Sequence, residues 1–276
     1  MAGSLRRTAD PRSLVGPFHR PAELTRILVT NDDGITSPGL HALCRAMATL
    51  GEVSVVAPDA ERSAAGHAIT TTTPLRVKEV ALEDGLVGYA VSGTPADSVK
   101  LAVGAILKER PDLIVSGINL GPNTATNIIY SGTVSAATEG RILGIPSIAI
   151  SLGTFKDPIW ETAAGYAIRV AEQVLARGLP PKILLNVNVP NLPAAEVKGV
   201  QVTRQGDSAY EELFDSRTDP RGAPYYWAAG TYRMSDVEEG TDALALDRGF
   251  VSITAVSFDL TAYGWLDELR SWELGW

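Results

Sequence analysis

Five short apolar runs, each closed by polar or glycine-bearing residues, set the rhythm of the chain. Arg26–Thr30, Val53–Ala57, Asp112–Ser116, Pro146–Ser151 and Lys182–Val189 are rich in Val, Ile and Leu without strict alternation. Such runs mark parallel strands covered on both faces. Helical spacing separates them. Leu40, Leu43, Cys44, Met47 and Leu50 share one face, with Ser37 at the N-cap, Pro38 in the first turn and Gly51 as the stop. Thr94-Pro95-Ala96-Asp97 has capping-box spacing and opens a helix bearing Val99, Ala102, Val103 and Ile106, so Asp97 reads as a cap before it reads as a catalytic group. Ser131-Gly132-Thr133 leads into a helix of small residues, and Asp157-Pro158 is expected to cap a helix to Arg177, stopped by Gly178. This alternation, closed by right-handed crossovers, predicts an α/β fold with a doubly wound, mostly parallel sheet.

Two stretches break the pattern. Ile69–Val80 and Leu86–Ser92 read as strands joined at Glu83-Asp84-Gly85. Past Pro190 only Val200–Arg204 and Phe250–Ala255 read as strands, and 207–240 has little periodicity while carrying the aromatic cluster Tyr225-Tyr226-Trp227, expected at a domain edge or subunit contact. Residues 1–24 mix Arg, Ser, Pro and Gly and read as a disordered leader; residues 25–276 are expected to form one α/β domain with an elaborated C-terminal part.

At 276 residues and 45% hydrophobic content the chain can bury a large core. No run approaches the roughly 18 apolar residues of a membrane span, and the N-terminus lacks the apolar centre of a secretory signal, so a cytoplasmic protein with no membrane partner is expected. Cys44 is the only cysteine, which excludes an internal disulfide and a cysteine-based zinc site. A net charge of −8 argues against a nucleic-acid-coating surface.

The candidate chemistry lies where the first strand ends, at Asn31-Asp32-Asp33-Gly34, because ligands of open α/β sheets collect at the carboxyl ends of strands. Gly34 and Gly39 have Walker A spacing, but Leu40-His41 stands where Lys-Ser/Thr is required. A dinucleotide fingerprint fails as well, since two negative charges occupy the place of the pyrophosphate. The chain has no Gly-x-Ser-x-Gly elbow, and His19, His41 and His67 lack metal-ligand spacing; His67, after the second loop, reads first as structural. Adjacent carboxylates repel and call for a cation or strong donors. A hard divalent ion fits, with Ser63, Asn119 and Asn123 supplying oxygens from other loops at the same edge. The helix beginning at Ser131-Gly132-Thr133 offers unpaired N–H groups to an anion.

Val29-Thr30-Asn31-Asp32-Asp33-Gly34, Ala57-Pro58-Asp59 with Arg62-Ser63, Ser92-Gly93-Thr94-Pro95-Ala96-Asp97, Val115-Ser116-Gly117-Ile118-Asn119 with Gly121-Pro122-Asn123, and Tyr130-Ser131-Gly132-Thr133-Val134 together resemble the survival protein SurE family of nucleotidases. Weaker matches continue at Leu185–Pro190, Asp219–Gly222, Gly240–Asp242 and Val251–Thr254. The resemblance implies a Rossmann-like core and a metal-dependent phosphatase that removes the 5′- or 3′-phosphate of nucleoside monophosphates. It also implies a homodimer or homotetramer built through C-terminal strands within 191–276. By that resemblance Asp32, Asp33, Ser63 and Asn119 hold one divalent ion per subunit, Mg²⁺ or Mn²⁺. Asn31, Asn123, Ser131, Gly132 and Thr133 surround the phosphate. Asp32, Asp33 and Asn123 serve the chemistry. Ala64 and Ala125 stand where the family commonly has glycine. In-line attack by water and a transient aspartyl-phosphate are both open on these residues. A metal-dependent nucleotide-sugar transferase and a non-catalytic nucleotide-binding module are the competing readings.

Overall fold

The computed structural model describes residues 24–236 and 238–275; the expected leader, apart from Leu24, lies outside them. Among the described residues are strands β1 (Arg26–Thr30), β2 (Glu52–Pro58), β3 (Val77–Ala81), β4 (Val87–Val91), β5 (Leu113–Leu120), β6 (Ser147–Leu152), β7 (Ile183–Val189), β8 (Val200–Thr203), β9 (Ser208–Thr218), β10 (Pro224–Met234) and β11 (Val251–Ser257). The helices are α1 (Pro38–Met47), α2 (Pro95–Leu101), α3 (Asn127–Tyr130), α4 (Gly132–Ile142), α5 (Trp160–Arg177), α6 (Asp242–Asp247) and α7 (Leu266–Arg270). No helix among these residues is long and apolar enough to cross a membrane.

Nine strands form one sheet in the order β3-β4-β2-β1-β5-β6-β7-β11-β8, and β9 and β10 form a separate pair. From β4 to β7 every neighbour is parallel; β3 and β11 join antiparallel to β4 and β7. The chain leaves β1 towards β2 and β4, then crosses back to place β5, β6 and β7 on the other side. The reversal falls between β1 and β5, and a crevice opens there at the carboxyl ends. The apolar runs explain the layers. Ile27 and Val29 face a core built with α1 and α5, while Leu28 faces the opposite one with α2 and α4. Buried on both faces, such a run cannot alternate with polar residues.

The elements depart from expectation where a local hydrogen bond or close approach intervenes. α1 stops at Met47, four residues short of Gly51, whose lack of a side chain serves packing: a Cβ there would stand 2.1 Å from the Thr25 carbonyl oxygen. The strand expected from Ile69 starts only at Val77, because the Thr70 N–H turns to the Asp97 carboxylate (2.9 Å). Asp97 also completes the capping box with Thr94. β5 does not end at Ser116; it continues to Leu120 with a register shift against β6 between Ser116 and Asn119. Asp157 does not cap α5, which begins at Trp160, and the Ile159 N–H bonds instead to Asn191 Oδ1 (2.8 Å). In 207–240 the chain forms the hairpin β9–β10, eleven residues a side, closed by a turn in which Asp219 accepts from the Arg221 and Ala223 N–H groups. Residues 213–218 and 221–230 are exposed throughout, so no buried face imposes a period of two.

α1 is pressed against β5 next to the crevice, for a Cβ on Gly39 would lie 2.1 Å from the Ile118 carbonyl oxygen. Gly165, inside α5, has nothing within 4 Å of the same position. Gly39→Ala should therefore lose about 1–3 kcal/mol in urea unfolding, as overpacked sites do. Gly165→Ala should gain about 0.5–1 kcal/mol by removing a helix-interior glycine. Equal effects of the two substitutions would contradict this packing.

Candidate active site

The acidic loop is shaped by its first residue. Asn31 is fully buried, and its amide nitrogen donates to the Gly34 carbonyl (3.0 Å) and to Ser37 Oγ (2.7 Å), folding 31–37 back on itself. Ser37 in turn accepts from the Leu40 N–H as the N-cap of α1. Asn31 thus meets its own loop, and the turn sends Asp32 and Asp33 to different partners. Asp32, 4% exposed, accepts the Thr133 hydroxyl at the start of α4. The seat is fitted to it, since a Cβ on Gly132 would approach the Asp32 Cβ to 2.7 Å. Asp33 accepts the Leu120 N–H (3.3 Å) at the end of β5.

Backbone bonds bring the remaining loops to the pair. The Arg62 N–H donates to the Asp32 carbonyl (2.8 Å), which fixes Ser63 one residue away. Ser63 is exposed and donates to Glu61 Oε1 (2.7 Å). Asn119 adjoins Leu120, and its amide donates to the Gly121 carbonyl (2.7 Å). Asn123 is held from three directions: its N–H by Asn188 Oδ1 (2.8 Å), its carbonyl by Asn186 and Asn188, and its amide nitrogen by Ser151 Oγ (2.8 Å). Ser131 caps α4 by accepting the Val134 N–H (3.1 Å). The anion at that helix terminus is Asp32 itself.

Both aspartates are costly to ionise. Burial raises the Asp32 carboxyl above its ordinary value against the opposing Thr133 bonds. Burial first, and the Asp32 charge second, push Asp33 up to about 6. Among the described residues no three His, Cys, Asp or Glu side chains gather as a metal cluster. A cation here would need hydroxyl and amide oxygens beside the carboxylates, and the donor set is of that kind. Asn31 Oδ1 and Thr30 Oγ1 at the end of β1, and Ser116 Oγ on β5 opposite Thr30, are also buried without hydrogen-bond partners. Hard oxygens around two desolvated carboxylates suit a hard divalent cation.

Several contributors escaped the sequence reading. Glu61 adds a third carboxylate, on Ser63. Asp242, fully buried, accepts from the Ala125, Gly206 and Ala243 N–H groups and so pins the Asn123 loop to the root of β9. The detectable signal for Asn186 and Asn188 was two amides alternating inside an apolar strand. His67 reaches α4, where its Nε2 lies 2.9 Å from Glu139 Oε2. Burial alone would raise Glu139, but the bonds from His67 and Lys100 outweigh it and hold the carboxyl below its ordinary range. Ala64 and Ala125 keep left-handed backbones, with φ of 58° and 52°.

The survival protein SurE model matches residues 27–212. The 5′-nucleotidase SurE of Heliobacterium modesticaldum is 50% identical over 248 residues, 90% of this chain and 91% of that protein. That of Syntrophobacter fumaroxidans is 47% identical over 249 residues, 90% of this chain and 100% of its own length. The crystal structure of the SurE protein from Aquifex aeolicus superposes with a TM-score of 0.78 at 45% identity, covering 89% of this chain and 98% of that one. With the acidic pair at the switch point and the matches running through both halves of the sheet, the chain belongs to the survival protein SurE family.

Proposed function

We propose that this protein is a divalent-cation-dependent phosphomonoesterase that hydrolyses nucleoside 5′-monophosphates, and also 3′-monophosphates, to nucleoside and phosphate. The observation that carries the reading is buried Asp32, seated at the N-terminus of α4, with half-buried Asp33 beside it, where a cation and a phosphate can meet. The relatives' name, 5′-nucleotidase SurE, supports the same substrate class.

Asp32, Asp33, Ser63 and Asn119 would hold one Mg²⁺ or Mn²⁺ per subunit. When bound, that ion reverses the local charge, polarises the phosphoryl oxygen and acidifies water. The protein's own groups do the rest. Asp32 is locked by Thr133 and serves position; Asp33, with one hydrogen bond from Leu120, is the freer carboxylate and orients the attacking water and accepts its proton. The Ser131 hydroxyl, the Gly132 and Thr133 backbone and Asn123 receive the phosphate and the charge on its equatorial oxygens. Asn31 acts by holding the loop in shape. Residues 25–276 work as one unit in the cytoplasm. The β9–β10 arm, with Leu213, Phe214, Tyr225, Tyr226 and Trp227 exposed, joins copies into a dimer or tetramer.

Asp33→Asn should lower kcat/KM for phosphate release from AMP by at least about 100-fold. The same change should stabilise the metal-free protein by on the order of 1 kcal/mol, a figure discounted for the solvent that reaches Asp33. Wild-type turnover by this variant sinks the assignment. EDTA should abolish activity, and Mn²⁺ or Mg²⁺ restore it. Because a raised carboxyl pKa keeps the proton on until about pH 6, proton and cation compete, and calorimetric Mn²⁺ affinity should weaken as pH falls through about 6. An affinity flat between pH 5 and 8 would speak against Asp33 as a ligand. Trp227→Asp should reduce the mass seen by light scattering; an unchanged assembly removes the arm from the interface.

A further inference from the structure

Phe155 is an aromatic side chain that the core does not use. It is 72% exposed, in the turn that follows β6, on the same carboxyl-end rim as the acidic pair. Its ring nonetheless has a fixed seat. A Cβ on Gly121 would lie 2.3 Å from Phe155 Cε1 and 2.8 Å from Cζ, so the ring edge rests on the bare Cα of that glycine. The turn is held by bonds from the Gly153 N–H to the Val189 carbonyl (2.8 Å) and from the Thr154 N–H to the Leu152 carbonyl (2.8 Å). The Thr154 hydroxyl closes it by donating to the Lys156 carbonyl (2.7 Å) and accepting the Lys156 N–H (3.1 Å). Gly121 also adjoins Leu120, whose N–H holds Asp33, and its carbonyl takes the Asn119 amide. The ring is thus tied by two residues to the proposed cation site.

Beside this seat, flanking Asn123, opens a cavity of about 370 Å³ lined by Pro122, Thr124, Gly153, Leu192, Ala243 and Leu246. Its size is in the range of small-ligand sites, roughly 300–1,000 Å³. The amide in its wall, Asn191, is already committed to the Ile159 N–H and the Asp157 carbonyl.

We propose that the base of the substrate stacks on Phe155 while the sugar spans the mouth of this cavity, an inference that rests on the nucleotidase reading above. A flat ring presented by a fixed turn stacks any base, since every base has a π-face. Phe155 therefore gives affinity for nucleotides over other phosphate esters without choosing strongly among bases. Tyr130, exposed and next to Ser131, is the competing platform, and it therefore enters the test below.

The test uses the full chain loaded with Mn²⁺, with AMP, GMP, CMP and base-less ribose 5-phosphate as substrates. Phe155→Ala should raise KM roughly tenfold for all three nucleotides. KM for ribose 5-phosphate should move by less than about twofold, and Phe155→Trp should restore nucleotide KM, because the larger ring still stacks. Equal losses on nucleotides and ribose 5-phosphate, no loss at all, or a loss that follows Tyr130→Ala instead would each overturn the inference while leaving the phosphatase reading intact. A wild-type protein that cleaves none of the four esters would overturn that reading, and this inference with it.

Discussion

Two neighbouring carboxylates at the blind end of a strand buried on both faces are the constraint on which the rest depends. Leu28 and Val29 are wholly inaccessible, and the chain three residues later must place like charges where little water reaches. Each charge can be kept only if something answers it. The chain answers with one donor set per aspartate, drawn from different elements: Thr133 of α4 for Asp32 and the end of β5 for Asp33. Both elements lie on the β5 side of the topological switch point, so the crevice that the winding of the sheet creates is also the place where the charges are met. The donors do not suffice to bring either carboxyl to its ordinary value, and the remaining deficit is what a cation can fill.

A second layer fixes the walls. Asn186 and Asn188, on consecutive inward positions of β7, bind the Asn123 backbone from beneath, while Asp242 binds Ala125 from the C-terminal side. All three are fully buried, so their polar atoms have no alternative in water and hold the loop firmly. Because Asp242 also accepts the Gly206 N–H at the root of β9, the C-terminal extension and the Asn123 loop share one anchor. Gln205, next to Gly206, adds a second tie by donating to the Ala125 carbonyl (3.0 Å).

The parallel strands and α1, α2 and α4 were legible because burial writes itself into composition: continuous Val/Ile/Leu runs, a Ser-Pro start at Ser37-Pro38, a capping box at Thr94. What stayed hidden has no such imprint. Residues 213–218 and 221–230 of the β9–β10 hairpin bury neither face, so they carry no alternation. The true start of α5 depends on Asn191, more than thirty residues away, and the end of β3 nearest Ile69 depends on Asp97. The site residues were readable as loops after strands, but their partners were not, since Glu61, Ser151 and Asp242 gain their roles only through pairings distant in sequence or turned by a local bend. Asn31 illustrates the limit: its place beside the acidic pair was plain, but only coordinates reveal that its amide is committed to Gly34 and Ser37.

The two alanines at positive φ separate a rigid part of the site from a yielding one. A left-handed alanine costs about 1–2 kcal/mol relative to ordinary backbone. At Ala125 the surroundings offset that strain: the residue is fully buried, its N–H goes to Asp242 and its carbonyl accepts from Gln205. Ala64 is exposed, and its loop is fastened at the ends, by the Arg62 N–H on Asp32 and the Gly66 N–H on Tyr130. Ser63 lies between those fastenings with its hydroxyl on Glu61, an exposed bond of little worth. Of the four proposed cation ligands, Ser63 is thus the one whose side chain costs least to turn. The two aspartates are held by their neighbours and Asn119 is held in the strand, so a cation bound there would meet its most yielding ligand in the serine.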